Sequence, residues 1–166
     1  MAEKNILIEN AVILNRNFEG REEKPYNPKG RRNFSVRLNE ELAHILLDDG
    51  WNVKLRESSD PDEESIGYLS VSVSYNNPKF IPKIIQITHD DRGRAKKTPL
   101  NENTIANIDT SEIQDIKLEI RPYKWEVNGN HGVKAYLKTM YFTLVKDPFE
   151  DSYGDFDGDY SLPFED

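Results

Sequence analysis

The sequence predicts an all-β fold, a barrel or a sandwich, with one short helix and a disordered acidic C-terminal tail. Runs rich in β-branched and aromatic residues recur along the 166-residue chain, and polar turn segments containing Gly, Pro, Asn and Asp separate them. A chain of this length has the size of one domain. The predicted strands cover residues 5–14, 32–38, 51–56, 68–75, 83–89, 115–127 and 133–145.

One helix is predicted between the second and third of these strands. Asn39 is a favourable N-cap, and Glu40 and Glu41 complement the positive end of the helix dipole. Gly50 is a typical residue for the turn that follows a helix. The apolar stripe expected to face the core comprises Leu42, Ile45 and Leu46.

The net charge of −8 lies entirely in the last 20 residues. Residues 147–166 contain eight acidic side chains and no Lys or Arg, so residues 1–146 hold 22 acidic and 22 basic side chains. We therefore predict a charge-balanced domain at 1–146 and a disordered tail at 147–166. The tail either improves solubility or docks partners through its spaced aromatic residues.

Several classes of function are not expected. The chain has no cysteine, and His44, His89 and His131 form no metal-binding motif, so we expect no metal and no cofactor. Phosphate-binding loops and nucleophile-elbow motifs are absent from the sequence. No apolar run could span a membrane. We expect a non-enzymatic protein of the cytoplasm that does not associate with membranes.

Two consecutive strands are predicted to carry aromatic and basic side chains on a face that is not the core. They are joined by the turn NGNHG and are expected to form a hairpin. In the second strand the apolar positions change parity after Leu137, which predicts a bulge or a change of partner near Thr139. The outward residues are Arg121, Tyr123, Trp125, Lys134, Tyr136 and Lys138.

Rings flanked by cations suit single-stranded nucleic acid, because every base can stack on a ring while phosphates pair with the cations. Two loops add basic residues, Arg31 and Arg32 in the first, and Arg92, Arg94, Lys96 and Lys97 in the second. We predict that these six and the outward hairpin residues bind single-stranded nucleic acid, with DNA or RNA left open by the pattern itself. The alternative is a β-sandwich that uses its exposed rings for protein–protein contacts, or a virion component.

The sequence resembles bacteriophage single-stranded-DNA-binding proteins over roughly residues 5–166. The most specific stretch is IRPYKWEVNGNHGVKAYLKTMYFTL, and the weaker ones are RNFEG, PYNPKGRRNFSVRL, GWNVKL and the tail GDYSLPFED. The resemblance implies an OB-fold, a small Greek-key barrel, although the predicted helix lies earlier in the chain than the usual OB-fold helix.

The resemblance also implies how such a protein works. Members of this family coat unwound DNA during replication or recombination. Their acidic tail docks replication or recombination proteins and can compete for the basic DNA groove. Leu162, Pro163 and Phe164 would form the docking tip here, although Glu165 and Asp166 follow Phe164. Oligomeric state is left open, and a homodimer is one possibility.

Overall fold

The computed structural model describes residues 4–23, 27–56, 59–63 and 65–146. These residues form nine strands, one α-helix and one 3-10 helix at Ile105–Thr110. The elements are β1 Ile6–Ile8, β2 Ile13–Asn17, β3 Arg32–Leu38, α1 Glu40–Asp48, β4 Val53–Arg56, β5 Ile66–Val73, β6 Lys83–His89, β7 Ala95–Leu100, β8 Ile113–Val127 and β9 Asn130–Leu144. The predicted tail, including its docking tip, lies outside the described residues.

All nine strands belong to one mixed sheet, and β8 and β9 are its longest strands. The order is β1-β8-β9-β5-β3-β2, with β4 paired to β5 and with β6 paired to both β7 and β9. Most pairs are antiparallel, but β9 runs parallel to β5 and to β6. The all-β class with one short helix is therefore confirmed.

The sheet is not closed by strand pairing between its ends, β1 and β2. The segment that joins these two strands nevertheless touches both sides of the opening. The amide of Ala11 donates to the Ile116 carbonyl at 2.9 Å, and the amide of Arg37 donates to the Val12 carbonyl at 2.9 Å. The predicted barrel is thus an open sheet that curls around its core and is bridged by single hydrogen bonds.

The core lies on the concave side of this sheet. Phe18 and Phe34 stack there with ring centroids 5.2 Å apart, and the helix covers one end. A Cβ at Gly67 would lie 2.5 Å from the Cβ of Ala43, so only glycine lets α1 approach β5 this closely. Ala43 and Leu46 are the buried helix residues, whereas Ile45 is exposed. The predicted position of Ile45 in the apolar stripe is therefore wrong.

The ends of α1 follow the prediction. The Asn39 side chain accepts a hydrogen bond of 2.8 Å from the amide of Leu42, as an N-cap should. Gly50 has a φ of +90°, the left-handed conformation that suits the residue after a helix.

Two strand predictions need correction. Residues 5–14 do not form one strand, because Asn10 adopts a φ of 51° and breaks the extended chain between β1 and β2. Residues 95–100, interpreted as part of a loop, form β7. Its sequence AKKTPL has weak strand propensity and contains a proline, which an edge strand tolerates because one side of its backbone faces no other strand.

The predicted irregularity near Thr139 is confirmed, and both of its proposed forms occur. The β8–β9 register shifts so that Glu119 pairs with Thr139 while Ile120 pairs with Leu137, which leaves Lys138 as the extra residue. On either side of this bulge, β9 changes its other neighbour from β5 to β6.

Within the described ranges, no helix has the length and hydropathy needed to cross a bilayer. The same residues contain no group of three or more His, Asp or Glu side chains placed to hold a metal ion.

Candidate nucleic-acid interface

The β8–β9 hairpin carries rings and cations on its outer face, as predicted. Arg121 pairs with Tyr136, Tyr123 with Lys134 and Trp125 with Gly132, so these side chains form consecutive rows on one face. Tyr123 is 51% exposed and Trp125 is 39% exposed. We call this set the hairpin surface: Arg121, Tyr123, Trp125, Lys134 and Tyr136.

Contacts between rings and cations order the hairpin surface. Tyr123 and Tyr136 meet edge to face, with centroids 6.0 Å apart. The Lys134 Nζ lies 5.0 Å from the centroid of Tyr136. The Arg121 guanidinium lies 5.1 Å from the same ring and 4.2 Å from the Phe80 centroid, so two rings hold it. Cation–π attraction therefore fixes Arg121 and Lys134 while they remain on the surface.

Trp125 depends on a glycine opposite it. A Cβ placed on Gly132 would lie 2.8 Å from Cζ2 and 3.0 Å from Cε2 of the indole. The ring therefore occupies the space that a side chain at position 132 would need. Because Gly132 has no side chain, the indole packs against the backbone of β9. The rest of the ring surface faces solvent.

A groove of about 470 Å³ extends from Trp125 across β9 and β5 to the loop before β3. Its lining includes Ser70 and Ser72 of β5, Lys134 of β9 and Arg31 of the loop before β3. Its lining comprises Arg31, Gly50, Trp51, Asn52, Ser70, Ser72, Trp125, His131, Gly132, Val133, Lys134 and Ala135.

Two buried asparagines hold the loop that carries Arg31. The Asn17 Oδ1 accepts hydrogen bonds from the amides of Gly20 and Arg21 at 3.0 and 2.8 Å. The Asn27 Nδ2 donates to the carbonyl of Arg31 at 2.9 Å. These bonds replace the strand pairing that an irregular backbone lacks, and they place the exposed Arg31 at the groove.

Lys138 lies on the outer face but is paired with an acid. Its Nζ is 3.5 Å from the Glu119 carboxylate, which also accepts hydrogen bonds from Asn5 and Thr139. The hydrogen bond from Asn5 is the largest cause that holds the pKa of Glu119 below its ordinary value, and the charge of Lys138 adds to it. A carboxylate therefore interrupts the positive outer face at the bulge.

The other predicted basic residues lie elsewhere. Arg32 pairs with the buried Val73 and faces the core side, where its Nε donates to the Phe18 carbonyl at 3.0 Å. The Arg94 Nε contacts Asp90 at 2.8 Å in the β6–β7 turn, which also contains Arg92. Lys96 and Lys97 are consecutive in β7 and so point to opposite faces of the sheet.

The structure adds side chains that the sequence prediction missed. Phe80, in the loop between β5 and β6, is 49% exposed beside Arg121. Tyr68 of β5 pairs with Arg37 on one side and with Lys54 on the other, so its outer position is also flanked by cations. The alternation of β5 places Tyr68 outward and could have indicated it, whereas no periodicity identifies Phe80.

Solved structures of other proteins have the same fold. The single-stranded DNA-binding protein from bacteriophage Enc34 in complex with ssDNA is 12% identical, with a TM-score of 0.53 over 88% of this chain and 89% of that chain. The Enc34 protein alone is 14% identical, with a TM-score of 0.51 over 97% of this chain and 90% of that one. Comparison with curated proteins found no match.

The family described as "Putative phage ssDNA-binding domain" matches residues 1–159, which is nearly the whole chain. The resemblance seen in the sequence is therefore confirmed. The chain belongs to the phage ssDNA-binding domain family.

Proposed function

We propose that the protein coats single-stranded DNA without reading its sequence, in phage DNA replication or recombination. Bases stack on Tyr123, Trp125 and Tyr136, while phosphates pair with Arg31, Arg121 and Lys134. The observation that carries this proposal is the pair of exposed rings, Tyr123 and Trp125, between fixed cations on an open sheet face. Family membership supports the same ligand.

The geometry suits a single strand in two ways. Stacking on a ring is available to any base and contributes about 1–3 kcal/mol per base. The hairpin surface is a broad sheet face, whereas duplex readout in the major groove requires an element narrow enough to enter it, such as a helix or a two-stranded ribbon. The described α-helix begins with Glu40 and Glu41 and has no basic residue in its last turn, so it is a poor reader of DNA.

Fluorescence titration with oligo-dT tests the proposal directly. The chain has two tryptophans: Trp51 is only 3% exposed, so quenching reports mainly on Trp125. We expect quenching on binding and a log K that falls by about 2 per tenfold increase in salt, or about 0.7 for each of three phosphate contacts. Trp125→Phe should retain a stacking ring but lose most of the signal. Quenching without salt dependence would refute the phosphate contacts, and no quenching at any salt concentration would favour an aromatic protein-binding surface.

We also propose that the acidic tail regulates this surface. Residues 147–166 carry eight acidic side chains and could occupy the cationic groove when DNA is absent, since their carboxylates carry the charge of phosphates. Removing residues 147–166 should tighten oligo-dT binding, most strongly at low salt. Equal affinities for the full and shortened chains would show that the tail does not compete with DNA.

The end of the tail is the proposed docking segment for replication or recombination proteins. Leu162, Pro163 and Phe164 supply an apolar anchor within an acidic sequence. Phe164→Ala should reduce co-purification of replication proteins from infected cells and leave oligo-dT affinity unchanged. Unchanged co-purification would remove Phe164 from this role.

A further inference from the structure

A further aromatic residue lies on the outer face of β9, beyond the bulge. Arg121 pairs with Tyr136 and Lys117 pairs with Tyr141, and both basic residues share one face of the same strand, β8. Tyr136 and Tyr141 are therefore on the same face of the sheet. The distance between their rows is about 13 Å, four residues of β8 at about 3.3 Å each.

Lysines surround Tyr141 on three strands. The Lys83 Nζ of β6 lies 5.4 Å from the centroid of the Tyr141 ring. A hydrogen bond from Lys83 to the phenol is the largest cause that lowers the pKa of Tyr141, and the charges of Lys83 and Lys97 add to it. Lys117 is the register partner on β8. We call these four residues the Tyr141 patch: Lys83, Lys97, Lys117 and Tyr141.

The charges of the patch are not neutralised by acids. Within the residues that the structure describes, no ion pair involves Lys83, Lys97 or Lys117, and all three are exposed. The phenol of Tyr141 carries an O–H that can donate to an acceptor. Two acids of β8 share this face, one row to either side of Lys117: Asp115 and Glu119. Glu119 is paired with Lys138, not with a lysine of the patch. The patch therefore offers one hydroxyl donor and three cations to an anion.

We propose that the Tyr141 patch is a second phosphate-binding site, which holds the continuation of the DNA strand bound on the hairpin surface. The two sites share one sheet face, because the bulge at Lys138 lets β9 leave β5 and bring β6 and β7 beside the hairpin. Glu119 lies between them and separates two positive areas. This inference rests on the proposed function, since it extends the path of the same ligand.

Oligonucleotide length separates the two sites. One OB-fold domain covers about 4 to 16 nucleotides, so we would use oligo-dT of about 4 and about 16 nucleotides with the full chain. The variant Lys83→Gln/Lys97→Gln/Lys117→Gln should bind the short oligonucleotide like the wild type. It should bind the long one more weakly, with a log–log salt slope reduced by about 2. Tyr141→Phe, which keeps the ring and removes the O–H, should show a smaller loss on the long oligonucleotide alone.

Lys96→Gln is the matched comparison, because Lys96 lies on the same strand as Lys97 but points from the opposite face. Lys97→Gln should weaken long-oligonucleotide binding more than Lys96→Gln does. Equal losses from Lys97→Gln and Lys96→Gln would overturn the inference. So would a triple variant that binds both oligonucleotide lengths as the wild type does, or one whose affinity for both lengths falls equally. The proposed role of the hairpin surface would be unaffected. Loss of binding to a synthetic peptide of residues 147–166 with unchanged DNA binding would assign the lysines to the tail and also overturn it. A wild type that binds neither length would instead refute the proposed function.

Discussion

The β8–β9 and β6–β7 hairpins are both rich in basic residues, yet they present different surfaces. On β8–β9, Arg121 and Lys134 lie against aromatic rings on one face. On β6–β7, Arg94 is bonded to Asp90 in the turn, and Lys96 and Lys97 point to opposite faces. The comparison shows that a count of cations does not define a binding surface. A binding surface also requires that the cations lie on one face of the sheet and that neighbouring groups hold them without neutralising them.

The rings on β8–β9 lower the side-chain entropy that the neighbouring cations lose when they bind a phosphate. A free lysine or arginine loses up to about 2 kcal/mol of side-chain entropy when a ligand fixes it. Arg121, held between Phe80 and Tyr136, has already lost much of that freedom in the folded protein. The aromatic hairpin should therefore bind phosphates with less ordering than the β6–β7 turn, in addition to stacking bases.

The largest expected effect on DNA affinity comes from removing the indole of Trp125. Trp125→Ala removes a stacking platform and should weaken oligo-dT binding by about 1–3 kcal/mol, measured by anisotropy of a labelled oligonucleotide. The midpoint of urea unfolding should hardly change, because the indole is at the surface. Arg94→Ala, in the turn of the other hairpin, should have a clearly smaller effect on binding. A Trp125→Ala protein that unfolds would instead assign the ring to the core.

The second prediction concerns Gly132, the residue against which the indole of Trp125 packs. Gly132→Ala places a methyl group about 2.8 Å from the indole Cζ2, so the ring must move away from β9. We expect a loss of binding smaller than that of Trp125→Ala, and a shifted tryptophan emission. The control is the double variant: once Trp125 is Ala, adding Gly132→Ala should cost no further affinity. Additive losses would show that Gly132 acts independently of the indole.

Sequence periodicity predicted the regular strands and the outward residues of β8 well. The strands at 32–38 and 83–89 are observed with the predicted bounds. The outward set Arg121, Tyr123 and Trp125 follows from strict alternation in β8, which stays regular past Pro122. The bulge near Thr139 was detectable because buried side chains must stay on the core side, so a change of parity in the apolar residues requires an extra residue.

The remaining features depend on long-range pairing that no local pattern encodes. Arg31 and Arg32 are neighbours, but only Arg31 reaches the groove, because the strand begins at Arg32 with its side chain toward the core. Strand β7 is held by its pairing with β6 rather than by its own propensity. Phe80 comes to lie beside Arg121 through the path of an irregular loop, and loop geometry is set by tertiary contacts.

The third prediction tests whether Phe80 supports Arg121. Phe80→Ala removes one of the two rings that hold the guanidinium, and an exposed cation–π contact is worth about 0.5–1 kcal/mol. Oligo-dT affinity should fall about two- to fivefold, since 1.4 kcal/mol corresponds to tenfold. Ile81→Ala is the matched control: this neighbour is also exposed and apolar but has no ring to offer. Equal losses from the two variants would indicate a general apolar contact instead.

The smallest expected effect is a gain of affinity at the bulge, where Glu119 separates the two positive areas. Glu119→Gln keeps an oxygen for the hydrogen bond from Asn5 but removes the charge that neutralises Lys138. Oligo-dT binding should tighten, with a salt slope steeper by about 0.7 for one added phosphate contact. Glu126→Gln, on the opposite face of β8, should change binding less. A tighter complex from both variants would reflect net charge alone.

The pH dependence of that gain follows from the titration of Glu119. The hydrogen bond from Asn5 and the charge of Lys138 keep its pKa below the ordinary glutamate value, so the carboxylate stays charged as the pH falls through the ordinary range. Protonation removes a negative charge beside the polyanion, so wild-type binding should tighten only below that range. The affinity difference between wild type and Glu119→Gln should therefore persist through the pH range in which an ordinary glutamate titrates, and disappear at lower pH. A difference that vanishes at the ordinary glutamate pKa would show that Asn5 and Lys138 do not hold the carboxylate in its charged form.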